Sequence, residues 1–116
     1  MKKADIVKDK NRFNDIIKTG FYAKNNFFVI YYINKDSINP QFGIAVGTKI
    51  GNAVIRNKYK RKIRAIIDNN KFLFPKNKDY IIIMKKACLD LNFKDMQKEL
   101  IDLIKIKVTK WKRNYK

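Results

Sequence analysis

The chain has 116 residues, 46% of them hydrophobic, with 28 lysines and arginines against 10 acidic residues and a formal charge of +18. This length fits one domain with its own core and excludes two ordinary domains, so we expect a single domain over residues 1–116. A charge of this size repels itself in a compact protein and favours a nucleic acid or an anionic membrane as partner.

The N-terminal half predicts one helix, from about Asp9 to Lys18, and three strands, two within residues 21–33 and one over 42–48. Gly20 is a stop signal for the helix. Residues 21–33 are mostly aromatic or β-branched, and Asn25-Asn26 in their middle predicts a turn between two strands.

The stronger of these two strands, Phe27 to Ile33, is apolar or aromatic on both alternating faces. One face is expected to be covered by helices. The other is expected to leave Tyr31 on a platform on which unstacked bases can lie.

A basic helix is predicted from about Asn52 to Asp68. From Lys49 to Arg64 the sequence carries seven cationic side chains and no acidic one. At about 100° per residue the cations share one side of the helix and the apolar residues share the other. The apolar residues, which we expect to face a core, are Ile55, Tyr59, Ile63, Ile66 and Ile67.

Solvated helix faces usually mix charges, because like charges four residues apart destabilise a helix. Here Lys58/Lys62 and Lys60/Arg64 are such pairs, which indicates an anionic partner that relieves the repulsion. Gly51-Asn52 supplies a turn and an N-cap, so backbone N–H groups at the helix start can bind phosphate.

The C-terminal half predicts a buried strand and a last helix. Tyr80 to Met84 is apolar throughout, which is typical of a strand at the centre of a sheet. Asn92 is a predicted N-cap, and the following apolar residues recur at helical spacing. They are Met96, Leu100, Leu103, Ile104 and Trp111. Strands and helices mix without strict alternation, so the fold class is α+β.

The chain contains no histidine and one cysteine, Cys88, which we expect to be partly buried. An internal disulfide, a multi-cysteine zinc site and a Cys–His pair are therefore impossible. Histidine is the commonest general base and transition-metal ligand, so its absence argues against catalysis by the protein's own side chains. We expect neither a catalytic residue nor a metal ligand.

The longest uncharged apolar run, Phe27 to Ile33, has only seven residues, far below the roughly 20 that cross a bilayer. The residues after Met1 contain no apolar stretch of the kind found in signal peptides. We therefore expect a cytoplasmic protein whose partner is nucleic acid and not a membrane.

The segment from Ile50 to Arg64 closely resembles the "RNR" motif of the protein subunit of bacterial ribonuclease P. Residues 12–20, 28–31 and 42–46 resemble the first helix and strands of that family, and residues 79–83 resemble its fourth strand. The resemblance implies a four-stranded sheet with about three helices and a left-handed β-α-β crossover, a fold of the ribosomal protein S5 domain 2-like type.

The resemblance also implies the protein component of a ribonucleoprotein endonuclease that removes the 5′ leader from precursor tRNA. Its expected partners are the catalytic RNA and precursor tRNA, with no further protein required. Catalysis, and the binding of Mg²⁺, are expected mainly on the RNA subunit and substrate.

By position, the resemblance assigns RNA contacts to Lys49, Asn52, Arg56, Asn57, Lys58, Lys60, Arg61 and Arg64. It assigns the cleft for the single-stranded leader to Phe13, Ile17, Tyr31 and Lys49. Lys58 stands where the family usually has a second arginine. The lysine offers phosphate a point charge, whereas an arginine guanidinium would offer two parallel hydrogen bonds. Ile17 stands where an aromatic residue is common.

Two other classes remain open from the residues. A structural RNA-binding protein, such as a ribosomal protein or an RNA chaperone, can use the same basic helix without serving a catalyst. A DNA-binding protein is less favoured, because no helix-turn-helix pattern is visible.

Overall fold

The computed structural model describes residues 1–108, and it places four strands and three α-helices in this part of the chain. They are α1 (Lys10–Thr19), β1 (Phe21–Lys24), β2 (Phe28–Asn34), β3 (Phe42–Val46), α2 (Ala53–Asn69), β4 (Lys78–Met84) and α3 (Phe93–Leu103). A π-helical turn, Ile104–Val108, continues α3. The predicted α+β class is confirmed, whereas Trp111 lies outside the described residues.

Each α-helix begins directly after a side chain that caps it. The side chain of Asp9 accepts from the backbone N–H of Asn11, that of Asn52 from Ile55, and that of Asn92 from Asp95, over 2.8 to 3.0 Å. A cap satisfies a backbone donor that the helix itself leaves unpaired. The caps predicted at Asn52 and Asn92 are confirmed.

The sheet has the strand order β1-β2-β4-β3, with β4 between an antiparallel β2 and a parallel β3. The central position predicted for the Tyr80 to Met84 strand is thus confirmed, although the strand begins two residues earlier, at Lys78. Helix α2 makes the crossover between the parallel strands β3 and β4. The hand of this crossover stays a prediction.

The main core lies on one face of the sheet, where α2 and α3 pack. Ile63, Ile66 and Ile67 of α2 are fully buried against alternate residues of the central strands. The predicted stripe of α3, from Met96 to Ile104, belongs to the same core. Cys88 is fully buried here, not partly buried as expected, because the short 3₁₀ turn after β4 places it in the main core.

A second, smaller core lies on the opposite face, under α1. Ile16 of α1 and Ile81 of β4 are fully buried there, and Phe13, Ile17 and Tyr31 pack around them half-buried. The expectation that Tyr31 stands on an uncovered platform is therefore wrong in part. The strand pattern shows that both faces are apolar but cannot show that α1 returns to cover one of them.

Candidate nucleic-acid interface

The outer surface of α2 is cationic along most of its length. Asn57, Lys58, Arg61 and Arg64 are exposed, whereas the isoleucines at positions 63, 66 and 67 are buried. The first acidic residue of the helix is Asp68, in its last turn. The predicted division into an apolar face and an acid-free cationic face is therefore present in the structure.

Three side chains of α2 depart from that simple division. Ile55 is 38% exposed and does not reach the core, because it lies in the first turn beyond the sheet. Arg56 is half-buried, and its Nε donates to the carbonyl of Gly51 over 3.2 Å, so its guanidinium folds back over the helix start. The ammonium of Lys62 lies 4.9 Å from the centre of the Tyr59 ring.

The start of α2 is fixed to the end of β3 by a 3₁₀ turn, Thr48–Ile50. Ile50 is buried in the main core and anchors the turn, while Lys49 beside it is exposed. Asn52, the N-cap, is also exposed. The structure therefore places Lys49 and Asn52 together at the N-terminal, electropositive end of the basic helix.

The leader-cleft residues predicted on α1 and β2 come together on the face of the sheet opposite to α2. Tyr31 sits in a row across the sheet with Ile81 of β4 and Gly43 of β3. A Cβ atom at Gly43 would lie 2.8 Å from the ring of Phe13 and 2.6 Å from Ile81. A glycine is needed here because α1 approaches the sheet so closely.

The next row of the same face is less covered than Ile81 and Gly43 under α1. It contains Lys24, Val29, Ile83 and Ala45, one from each strand, and its three apolar members are half-buried. This row lies where β3 and β4 end, which is also where the turn carrying Lys49 begins. We call this row, as the floor, together with helix α1, as the wall, the α1 cleft.

Sequence reasoning missed the floor of the α1 cleft. Val29 is two residues from Tyr31 on the same strand, so alternation alone points to it. Ala45 and Ile83 join it only through the strand order, which their own segments do not reveal. Tyr22 extends the cleft on β1, since its ring is 61% exposed and lies 6.0 Å from that of Tyr31.

The basic helix and the α1 cleft meet across the edge strand β3. A small cleft of about 100 Å³ is lined by Phe13 and Gly43 on one side and by Lys60 and Arg64 on the other. Apolar and aromatic surface thus passes into cationic surface with β3 between them. Such a surface suits a single-stranded nucleic acid, whose bases stack while its phosphates meet cations.

Asp79 fixes α1 in place. It is the only buried charged side chain among residues 1–108, and it accepts from Arg12 of α1 over 2.8 Å and from the backbone N–H of Gln41 over 3.0 Å. The ammonium of Lys35 lies 2.6 Å away. Burial opposes ionisation of this carboxyl, but its bonds to Lys35, Arg12 and Gln41 prevail and hold its pKa below the ordinary value of 3.8. Arg12 and Asp79 therefore tie α1, the wall of the α1 cleft, to the sheet.

Within residues 1–108 no three Asp, Glu, Cys or His side chains come together as a metal site would require. The same part of the chain contains no helix long and apolar enough to span a bilayer.

Known proteins resemble this chain over most of its length. A family model described as Ribonuclease P matches residues 1–107. The ribonuclease P protein component of Mycoplasma capricolum is 43% identical over 106 residues, covering 90% of this chain and 97% of the relative. That of Streptococcus agalactiae is 39% identical, with 91% and 96% covered.

Solved structures agree with the architecture described above. The RNase P protein of Staphylococcus aureus superimposes with a TM-score of 0.81 at 35% identity and covers 90% of this chain and 95% of its own. That of Thermotoga maritima superimposes with a TM-score of 0.80 at 30% identity, with 86% and 94% covered.

Proposed function

The chain belongs to the ribonuclease P protein family, and from this premise we propose that it binds the catalytic RNA through α2 and the 5′ leader of precursor tRNA in the α1 cleft. The observation that carries the proposal is the continuity of these two surfaces across β3. A protein with this surface holds two RNA segments side by side. It acts in the cytoplasm, where its precursor tRNA substrate is found.

The contact with the catalytic RNA rests on the exposed cations of α2. Arg61 and Arg64 present planar guanidinium groups that form paired hydrogen bonds with phosphate. Lys58 offers a point charge instead, so it contributes attraction with less geometric selectivity. Each phosphate that the helix neutralises releases counterions, and affinity for the RNA falls steeply as salt is raised.

The leader contact rests on the shape and chemistry of the α1 cleft. Its rings, Phe13, Tyr22 and Tyr31, offer flat surfaces to unpaired bases, while Ile17 offers apolar contact without stacking. Stacking tolerates any base, so the cleft accepts leaders of varied sequence. Lys24 and Lys49 lie at its ends, where they can meet the leader's phosphates.

The protein's part in the reaction is to bind and position. Its cations lower the repulsion between the RNA subunit and the substrate, and the α1 cleft orients the leader so that the bond to be cut lies at the RNA's active centre. Mg²⁺, bound mainly by the RNA and substrate, supplies the metal chemistry. The donor groups of residues 1–108 do not fit a metal site, so we assign no catalytic step to a protein side chain.

The first test is cleavage of precursor tRNA by a bacterial ribonuclease P RNA at low Mg²⁺, with and without this protein. We expect strong stimulation and tighter binding of leader-bearing than of mature tRNA. RNA binding without stimulation would instead identify a structural RNA-binding protein.

The cleft is tested by Tyr31→Ala, with Tyr32→Ala as a matched control on the opposite face of the same strand. Loss of one stacked base costs about 1–3 kcal/mol of binding free energy. We therefore expect Tyr31→Ala to weaken the binding of precursor tRNA roughly tenfold and to change the binding of mature tRNA little. Equal weakening of both tRNAs would refute the cleft assignment. Tyr32→Ala should leave the ratio of the two affinities unchanged.

A further inference from the structure

A second aromatic and cationic surface lies at the other end of the sheet and has no part in the function proposed above. Its centre is Phe72, on the 3₁₀ turn Lys71–Leu73 that follows α2. The Phe72 side chain is 78% exposed, and Ile38 nearby is 69% exposed. Two adjoining grooves of about 520 and 490 Å³ share Phe72 and Lys76 as lining residues. We call them together the Phe72 groove.

The position of Phe72 is fixed by its neighbours in the chain. Phe74, two residues later, is buried and packs edge-on to the rings of Phe42 and Tyr80 at 5.2 and 5.4 Å. The Tyr80 hydroxyl donates to the carbonyl of Pro75 over 2.5 Å. The core thus holds the chain that follows Phe72, while the Phe72 side chain itself is exposed. The backbone that carries the ring is therefore already ordered before a partner binds.

The charge of the Phe72 groove is positive. Lys71, Lys76 and Lys78 line it, and among its described lining residues the only acidic one is Asp5, which Lys71 binds at 2.7 Å. Val108 also lines it.

The Phe72 groove is far from the α1 cleft. It lies at the start of β4, near Lys78, whereas the floor of the cleft lies at the other end of that strand, at Ile83. Five residues of strand separate the two by about 17 Å. One nucleotide therefore cannot touch both surfaces.

We propose that the Phe72 groove is a second RNA contact, in which Phe72 stacks on an unpaired base and Lys76 meets a neighbouring phosphate. An exposed aromatic ring among cations, without a free acid, is the chemistry that recognises single-stranded RNA. A second copy of the chain is disfavoured as the occupant, because each copy carries +18 and two such copies repel one another. Because the turn that carries Phe72 follows α2 directly, and the proposed function places α2 on the catalytic RNA, the base belongs to that RNA.

Three variants test the proposal: Phe72→Ala, Phe72→Trp and Lys76→Ala. Lys94→Ala is the control, since Lys94 is an exposed lysine on α3 outside both surfaces. Binding of each variant to the catalytic RNA alone is measured first. Binding of mature and of precursor tRNA by the reconstituted holoenzyme is measured next, and the two measurements distinguish a contact with the catalytic RNA from a contact with tRNA.

We expect Phe72→Ala to weaken binding of the catalytic RNA roughly tenfold, while Phe72→Trp, which keeps a stacking surface, stays near the parent affinity. Lys76→Ala should also weaken binding of the catalytic RNA, and the slope of its affinity against salt should fall by about one phosphate contact. Weaker binding of tRNA with unchanged binding of the catalytic RNA would overturn the assignment of the base. The ratio of precursor to mature tRNA affinity should not change, which separates this surface from the leader cleft.

RNA affinities within twofold of the parent for both Phe72→Ala and Lys76→Ala would overturn the proposal. So would a parent protein that sediments as a dimer and becomes monomeric on Phe72→Ala, because the groove would then be a protein contact. Thermal unfolding of all variants is measured alongside. An exposed Phe72 predicts unchanged stability, and Phe72→Trp and Lys76→Ala keep the test valid if Phe72→Ala should unfold.

Discussion

Replacing Asp79 by asparagine keeps the shape of the side chain and removes the charge that ties α1 to the sheet. We expect this change both to destabilise the fold and to weaken leader recognition. The carboxylate accepts from three donors at once, on Arg12, Lys35 and Gln41. An amide carries only one acceptor oxygen, so its NH₂ group must face at least one of those donors.

The magnitude follows from the two charged partners. A hydrogen bond to a charged group contributes about 1.5–3 kcal/mol and a neutral one about 0.5–1.5 kcal/mol. The Arg12 side chain is 36% exposed, so water screens part of its attraction to Asp79. A neutral amide is also easier to bury than a carboxylate. The net loss is then about 2–3 kcal/mol, or roughly 10 °C in Tm for a chain of this length.

Thermal and urea unfolding measure this loss, and its pH dependence identifies the cause. The folded pKa of Asp79 lies below the ordinary 3.8, so its contribution is complete above that value and disappears as the pH falls through the folded pKa. The difference between parent and variant should be constant from about pH 5 to 8 and shrink below about pH 4.

Asp102→Asn is the matched control, because Asp102 makes an exposed pair with Lys98 at 2.8 Å and should give no measurable change in Tm. The functional readout is the ratio of precursor to mature tRNA affinity, which should fall in Asp79→Asn since α1 forms the cleft wall. If Asp79→Asn is as stable as the parent, Asp79 does not stabilise the fold. If it is destabilised but keeps the parent's ratio of precursor to mature tRNA affinity at a temperature where it is folded, Asp79 does not position the cleft wall.

Experiments at Gly43, Asn52 and Cys88 test other parts of the structure. Gly43→Ala should push Phe13 off the sheet and cost about 1–3 kcal/mol in urea unfolding, and unchanged stability would show that α1 is not tightly seated. Asn52→Ala removes the cap of α2 and should lower the free energy of unfolding by about 1 kcal/mol. Asn52→Asp keeps a capping side chain and should keep the Tm, but its negative charge should weaken RNA binding. Cys88 is buried and its pKa is raised by that burial to about 11, so a thiol reagent should label it only at the rate of unfolding. Fast labelling of the native protein would contradict its placement.

The features that depend on neighbouring residues were predictable from the sequence. Asn52 and Asn92 are caps because their side chains reach backbone N–H groups three residues ahead. The strand around Ile82 is central because an unbroken apolar run needs cover on both faces. Ile55 has the right angle on the helix wheel for the core, yet it lies too near the helix start to meet it.

The features that depend on distant pairs were not predictable. Arg12 and Asp79 are 67 residues apart in the chain, and neither segment indicates the other. The floor of the α1 cleft likewise needs the strand order that brings Ala45 beside Ile83. The family resemblance grouped Tyr31 with Phe13, and both pack around the small core under α1, whereas strand alternation alone predicted an uncovered face. The contact of Tyr31 with the leader stays a prediction.

The like charges crowded along α2 couple the folding of this protein to its assembly. Pairs such as Lys58/Lys62 and Lys60/Arg64 each cost a few tenths of a kcal/mol when no anion is near. A polyanion that binds the folded helix removes this cost and adds its own binding free energy to stability. We therefore expect the free protein to be less stable to unfolding than the protein bound to a polyanion.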